Sequence, residues 1–205
     1  EQQQARMMLE RELDKSLLTS IRAQMNPHFL FNALNTIQSY VYMNDKRSAG
    51  IYISKFSDLT RRILDHSSRD TISLAEELNA LNLYLELEAM RFEGILEYHI
   101  DIDDRINVNE QTLPPMLLQP YVENAIKHGL FHRKKNRQLS IRFIYALLCI
   151  RIEIEDNGIG RKKSEELNRQ RMKTHQSFSM QANRKRLDIL RQQQPGILHP
   201  NLRKC

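Results

Sequence analysis

The sequence predicts an α+β chain: a helical hairpin that pairs with a second copy into a four-helix bundle, followed by a domain mixing helices with half-buried strands. Three observations predict it. Apolar residues recur every third or fourth position early on, as in Leu13, Leu17, Ile21 and Met25 and again in Tyr52, Phe56, Leu59 and Ile63. After Gly94 the period becomes two: Leu96, Tyr98, Ile100 and Ile102 alternate with Glu97, His99 and Asp101. Between the two early apolar runs lies Gln24-Met25-Asn26-Pro27-His28-Phe29-Leu30-Phe31-Asn32-Ala33-Leu34-Asn35, which reads as a mostly buried helix carrying one narrow polar stripe.

The first helix reads as unbroken from Leu13 to about Met43, with a kink or restart at Pro27, which lacks a backbone donor and clashes with the carbonyl of Ala23. Residues 1–18 are charged, glutamine-rich and free of Gly and Pro, and read as the end of a longer helix arriving from upstream. On the polar stripe His28 lines up with Gln24, Asn32, Asn35 and Ser39. A core histidine satisfied by Asn32 would explain a lone imidazole. It would not explain a proline and so many asparagines, which helix interiors disfavour. A neutral imidazole presented this way can act as nucleophile, base or ligand.

Asn44-Asp45-Lys46 is a turn, and the second helix carries Tyr52, Phe56, Leu59 and Ile63 on one face. A two-helix hairpin cannot bury both apolar faces alone, so the reading requires a homodimer. Ser67 to Thr71 is a polar break. Ser73 with Glu76 has capping-box spacing, and Leu74, Leu78, Leu81 and Leu85 carry a third helix to about Phe92, closed by Gly94. The division expected is 1–70, 71–94 as a connecting helix, and 95–205.

Pro114-Pro115 opens the next element, and Pro120 either kinks its helix or marks the first turn. In residues 120–129, Val122, Ala125, Ile126 and Gly129 form the packing side, while Asn124, Lys127 and His128 share another with Glu123 beside them. Such a face can simply be solvated. It also suits a metal-bound polyphosphate, because an amide oxygen ligates Mg²⁺ and cations meet phosphate oxygens. Ile141, Phe143 and Tyr145 read as one strand. Ile150, Ile152 and Ile154 read as another, which runs into Asp156-Asn157-Gly158-Ile159-Gly160. Here an Asp can accept from an exocyclic amine such as that of adenine, and glycines let the backbone approach a flat ligand. Residues 161–175 hold six cations and read as a lid beside such a site, before a last helix from Met180 to about Arg191.

Composition narrows the partners. The 205 residues carry a net charge of +6 and a pI near 9.4. No zinc spacing, interleaved aromatics or recognition-helix motif accompanies that charge, so a phosphate-rich ligand fits better than direct nucleic-acid binding. Cys149 and Cys205 form no motif, which suits a reducing compartment, and no apolar run is long enough to span a bilayer.

Taken together, residues 24–35 resemble the phosphoacceptor box of the LytS/YehU-type sensor histidine kinases of two-component systems, 120–129 their N box, and 156–160 their G1 box, in the family's order. The resemblance covers about Leu13 to Leu190. It implies a helical dimerisation and phosphotransfer module followed by an ATP-binding α/β sandwich of the histidine-kinase/gyrase/MutL type. The family's reaction moves the ATP γ-phosphoryl to the box histidine, here His28, and then to an aspartate of a response-regulator receiver domain. By position Asn124 would hold Mg²⁺, and Lys127 and His128 would lie near the phosphates. Asp156 would contact adenine, with Gly158 and Gly160 shaping the pocket. The family's usual upstream spans would make the chain the cytoplasmic portion of a bacterial inner-membrane protein.

Three departures accompany the resemblance. Phe29 stands where the commonest histidine kinases have an acidic residue after the phosphoacceptor, so Glu123 becomes the candidate to orient or deprotonate His28. Ser177 and Ser179 replace the two glycines of the G2 loop ahead of Arg184-Lys185-Arg186-Leu187. A Cβ there costs roughly 1 kcal/mol each if positive φ is needed, while the hydroxyls could donate to phosphate. No terminal strand pair is legible after Gln192. The serines and the short tail also suit a non-catalytic dimeric signalling module with a degenerate ATP site. An ATPase switch without phosphotransfer would have no use for the His28 stripe.

Overall fold

The structure is a computed structural model that describes residues 27–160 except 132, 134 and 148, with residues 27 and 28 described through their backbone. Helix α1 covers Pro27–Tyr42 among the described residues. Whether the helix extends upstream of Pro27 lies outside the described residues. It ends as expected before a turn. Asn44 adopts φ 57°, and the Asp45 side chain caps α2 (Lys46–Ser67) by accepting from Ser48 N at 3.0 Å.

Helix α3 (Leu74–Arg91) starts at the capping box. Ser73 Oγ accepts from Glu76 N at 3.2 Å and Glu76 Oε2 accepts from Ser73 N at 2.9 Å. It ends where Gly94, at φ +74°, donates its N–H to Ala89 O at 3.0 Å. A short ladder joins β1 (Ile72–Ser73) to β3 (Thr112–Leu113), antiparallel, and was not legible in the sequence.

The hairpin covers one of its apolar faces with α3. Phe29 packs its ring 5.1 Å from that of Tyr84 and 6.0 Å from that of Phe56, and Tyr40 donates to Met90 O at 3.2 Å. The expectation that the α1 segment is mostly buried is corrected here. Phe29 and Ala33 are buried, but Phe31 is 66% and Leu34 60% exposed, as are Val41 and Tyr42. A helix packed against α2 and α3 on one side buries one stripe, and these residues lie off it.

The sheet is three-stranded, in the order β2 (Leu96–Ile102), β4 (Arg137–Ala146), β5 (Cys149–Asp156). β2 runs parallel to β4, and β5 antiparallel. Alternation puts Leu96, Tyr98, Ile100 and Ile102 on the core face with Leu139, Ile141, Phe143, Ile150, Ile152 and Ile154. The opposite face is polar, with Arg142 bridging Glu153 and Glu155 at 3.1 and 3.2 Å. β4 is longer than its apolar run suggests. Leu139 is buried on it, whereas Tyr145, read as part of that run, is 38% exposed. One cluster of buried side chains runs from Phe29 on α1 through α3 to Ile154 on β5.

Candidate active site

The segment 120–129 begins with α4 (Gln119–Asn124), and Pro120 marks its first turn. Tyr121 and Val122 are buried against the core. Asn124 Nδ2 donates to Pro120 O at 2.7 Å, which commits the donor end of the amide to the backbone and leaves the oxygen as the end a cation could use. From Ala125 to Leu130 the helix widens to a π-helix, a form that recurs at functional sites and that side-chain periodicity cannot announce. Within it Lys127 is exposed and His128 half-buried, while Ala125, Ile126, Gly129 and Leu130 are buried. The packing side foreseen in the sequence is therefore the observed one.

The Asp156–Gly160 segment docks on the end of this helix through two glycines. A Cβ on Gly129 would stand 2.7 Å from Asp156 Cγ. A Cβ on Gly158 would fall onto the backbone of Gly129 itself. Gly158 was read as letting the backbone approach a ligand. In the structure it lets two backbones approach each other, and Ile159 N donates to Gly129 O at 3.3 Å across that contact. Gly160 has the backbone reason, at φ +77°.

Asp156 is in register with Leu139, on the same face as the buried isoleucines of β5. Its Oδ1 accepts from Gly158 N at 3.0 Å, and among the described residues Oδ2 takes no hydrogen bond. Asn157 secures the turn. Its Oδ1 accepts from Gln138 N at 2.9 Å, its Nδ2 donates to Asn136 O at 2.9 Å, and its carbonyl accepts from the Arg133 guanidinium. Sequence reasoning passed over Gly129 as a site residue and gave Asn157 and Arg133 no role. The parity of Asp156 with Ile150, Ile152 and Ile154 was the available signal for where its carboxylate lies.

On the other side of the π-helix a cavity separates it from the helical module. Phe29 and Asn32 of α1, Glu88 and Arg91 of α3, and Glu123 and Lys127 line it. The α1 helix in this wall belongs to the same chain as the 120–129 segment. Burial raises the Glu88 carboxyl, the Arg91 guanidinium paired with it opposes that rise, and the charge of Glu123 adds to it. The buried Tyr84 hydroxyl is held well above its ordinary value, first by desolvation and then by Glu88 and Glu123. Glu123 thus sits within electrostatic reach of the wall that α1 completes. Glu88 and Arg91 were also missed. They fall at helical spacing on the apolar stripe of Leu81, Tyr84 and Leu85, which is where a buried charge shows.

The backbone of His28 lies in α1, one residue before Phe29 in that wall. Ser177 and Ser179, the 161–175 segment, the last helix and the tail lie outside the described residues. Among the described residues no group of three or more His, Cys, Asp or Glu could hold a metal. Among the described residues no helix is long and apolar enough to cross a membrane.

Comparison with known proteins agrees. The family described as Histidine kinase matches residues 16–96. "Sensor protein LytS" of Staphylococcus epidermidis is 36% identical over 143 residues, 70% of this chain and 24% of the relative. "Sensor histidine kinase/phosphatase LytS" of Staphylococcus aureus is 34% identical over 149 residues, 72% of this chain and 25% of the relative. The chain spans about a quarter of the length of these relatives. These matches show that the chain belongs to the LytS-type sensor histidine kinases.

Proposed function

We propose that the chain is the phosphotransfer and ATP-binding core of a bacterial sensor histidine kinase, which phosphorylates His28 from ATP and passes the phosphoryl group to an aspartate of a response regulator. The observation that carries this reading is the docking of Gly158 and Asp156 on Gly129. That contact supports the reading because it brings the strand end that carries Asp156 against the helix that carries Asn124, Lys127 and His128. The cavity behind that helix has the helix of His28 as its other wall.

In this reading Asp156 accepts from the adenine amine through Oδ2, and Gly158 and Gly160 shape the pocket. Lys127 and His128 neutralise phosphate oxygens, and the hydroxyls of Ser177 and Ser179 donate to them. Asn124 would hold Mg²⁺, which would supply charge neutralisation on the transferring group. The unprotonated imidazole nitrogen of His28 attacks the γ-phosphorus. An N–P bond forms, the bond to the β-phosphate oxygen breaks, and ADP leaves. Glu123 orients the imidazole and takes the proton that the second ring nitrogen sheds. Catalysis of this kind is positioning plus electrostatics.

The unit is a homodimer in this reading. The exposed Phe31, Leu34 and Val41 of α1 form the seam of a four-helix bundle with the partner's hairpin. The division 1–70, 71–94 and 95–205 separates phosphotransfer hairpin, connecting helix and ATP-binding sandwich, and an upstream region attaches the whole to a membrane.

Incubation with γ-labelled ATP and Mg²⁺ tests the reading. Acid-labile, alkali-stable label that is lost in His28→Gln and Asn124→Ala is expected. Absence of label and of ATP binding in the wild type overturns it.

A further inference from the structure

Glu77 is a buried acid that the reaction does not use. Helical spacing puts it among Leu74, Leu78 and Leu81, on the face that α3 turns to the core, and it is 2% exposed. Its partners are backbone groups of a different segment. Oε2 accepts from Met116 N at 2.9 Å and Oε1 from Leu118 N at 2.9 Å, and the Leu117 N–H also faces the carboxylate. Met116 adopts φ 61°, a left-handed conformation that a non-glycine residue holds only when its surroundings impose it. Leu118 is the residue from which α4 starts, and that helix carries Asn124 six residues on.

We propose that Glu77 is a positioning residue for the nucleotide site: a carboxylate on α3 that clamps the 116–118 loop and so sets where α4 and the π-helix stand. The inference rests on the proposed ATP site for its consequence in catalysis, but the clamp itself is independent of it. Two oxygens on two N–H donors at the mouth of a helix fix both its position and its direction, as a paired acceptor does at any helix N-terminus. Because α3 also packs against the hairpin, the same side chain ties the helical module to the ATP-binding segment. Phe29 on Tyr84 and Lys55 with Glu86 at 2.5 Å are the hairpin's side of that tie.

The chemistry gives a signature. Burial pushes the Glu77 carboxyl up to about 7, and the three N–H donors pull against that rise. Among the described residues no charged side chain of α3, the β1–β3 pair or the 116–118 loop contributes. Glu76 beside it faces Ser73 and Arg69 instead. Ionised, the carboxylate accepts on both oxygens. Protonated, one oxygen carries a hydrogen that faces an N–H donor, and the clamp is halved.

Hydrogen exchange of the intact protein at one pH, wild type against Glu77→Gln, reads the clamp. The amide mimics the protonated acid. Faster exchange over 116–130 with α2 unchanged is expected, together with about a tenfold weaker Kd for a fluorescent ATP analogue, the loss of one hydrogen bond to a charged acceptor. The advantage in affinity of the wild type over Glu77→Gln is expected to shrink as pH falls through 7, whatever titration of His128 and the phosphates the two proteins share. Should Glu77→Gln not fold, Glu77→Asp and the wild-type pH series carry the same test. Unchanged exchange over 119–130, or a pH profile shared by wild type and variant, overturns the clamp. Altered exchange in a protein that binds no ATP analogue upholds the clamp and overturns the proposed function instead.

Discussion

Gly129 and Asp156 touch in a way that forbids a side chain on the first. A methyl group there would lie 2.7 Å from the carboxyl carbon of the second. Gly129 lies in the last turn of the π-helix and Asp156 ends β5, and the missing Cβ is what lets the two segments meet.

Substitution on either glycine of that contact is therefore expected to be costly, and unequally so. In Gly129→Ala the obstacle is a carboxylate that can turn at the expense of its bond to Gly158 N. In Gly158→Ala it is backbone. Overpacking of this kind costs about 1–3 kcal/mol. Urea unfolding is expected to show the larger loss for Gly158→Ala, with ATP-analogue binding abolished in both.

Asp156→Asn separates fold from recognition. The amide oxygen still accepts from Gly158 N, so the turn survives, but the negative acceptor that the proposed function assigns to adenine is gone. The melting temperature is expected to stay near wild type while affinity for the ATP analogue falls at least about tenfold, the scale of a hydrogen bond to a charged group. Loss of both together would assign Asp156 to the fold alone.

Phe29 explains why no acid follows His28. The position is 2% exposed and packed against the tilted rings of Phe56 and Tyr84, where an unpaired carboxylate would be desolvated. Phe29→Ala is expected to cost about 3–5 kcal/mol by denaturant unfolding. Phe29→Glu is expected to release α1 from α3, seen as loss of protection across residues 29–42 in hydrogen exchange.

The exposed stripe of α1 tests the dimer. Phe31→Glu with Leu34→Glu places charges on a surface that a single chain leaves in water, at 66% and 60% exposure. Sedimentation is expected to show a dimer for the wild type and a monomer for the double variant, with folding of the 71–160 portion intact. A wild-type monomer at micromolar concentration counts against the bundle.

The capping box of α3 gives a pH dependence with a definite sign. The Ser73 backbone N–H holds the Glu76 carboxyl below its ordinary value, and the Ser73 hydroxyl and Arg69 add to this. The stability linked to it is present above the unfolded value and is lost as pH falls through the lower folded one. Ser73→Ala is expected to cost about 1 kcal/mol at neutral pH. That cost is expected to shrink in acid, measured as unfolding midpoints at pH 7 and pH 3.

Local signals in the chain determined the elements. The capping box at Ser73 and Glu76, the stop at Gly94, the turn at Asn44 and Asp45 and the alternation in β2 and β5 each depend on neighbours a few residues away. The same is true of the three boxes, whose residue types and order marked them before any fold was known. Even the side on which Asp156 stands was written in its parity with Ile150, Ile152 and Ile154.

Contacts between distant segments were decided by tertiary structure. A helical period cannot say which apolar face meets α3, and so Phe29 is buried while Phe31 and Leu34 are not. Glycine in a sequence reads as freedom of φ, yet Gly129 and Gly158 are needed because two backbones converge from segments 29 residues apart. A glutamate in an amphipathic helix reads as surface, yet Glu77 is buried because three amide hydrogens from residues 116–118 come to meet it. Short-range sterics and hydrogen bonding act along the chain and are visible there. The close approach of one backbone to another, and the desolvation of a charge, exist only once the chain has folded.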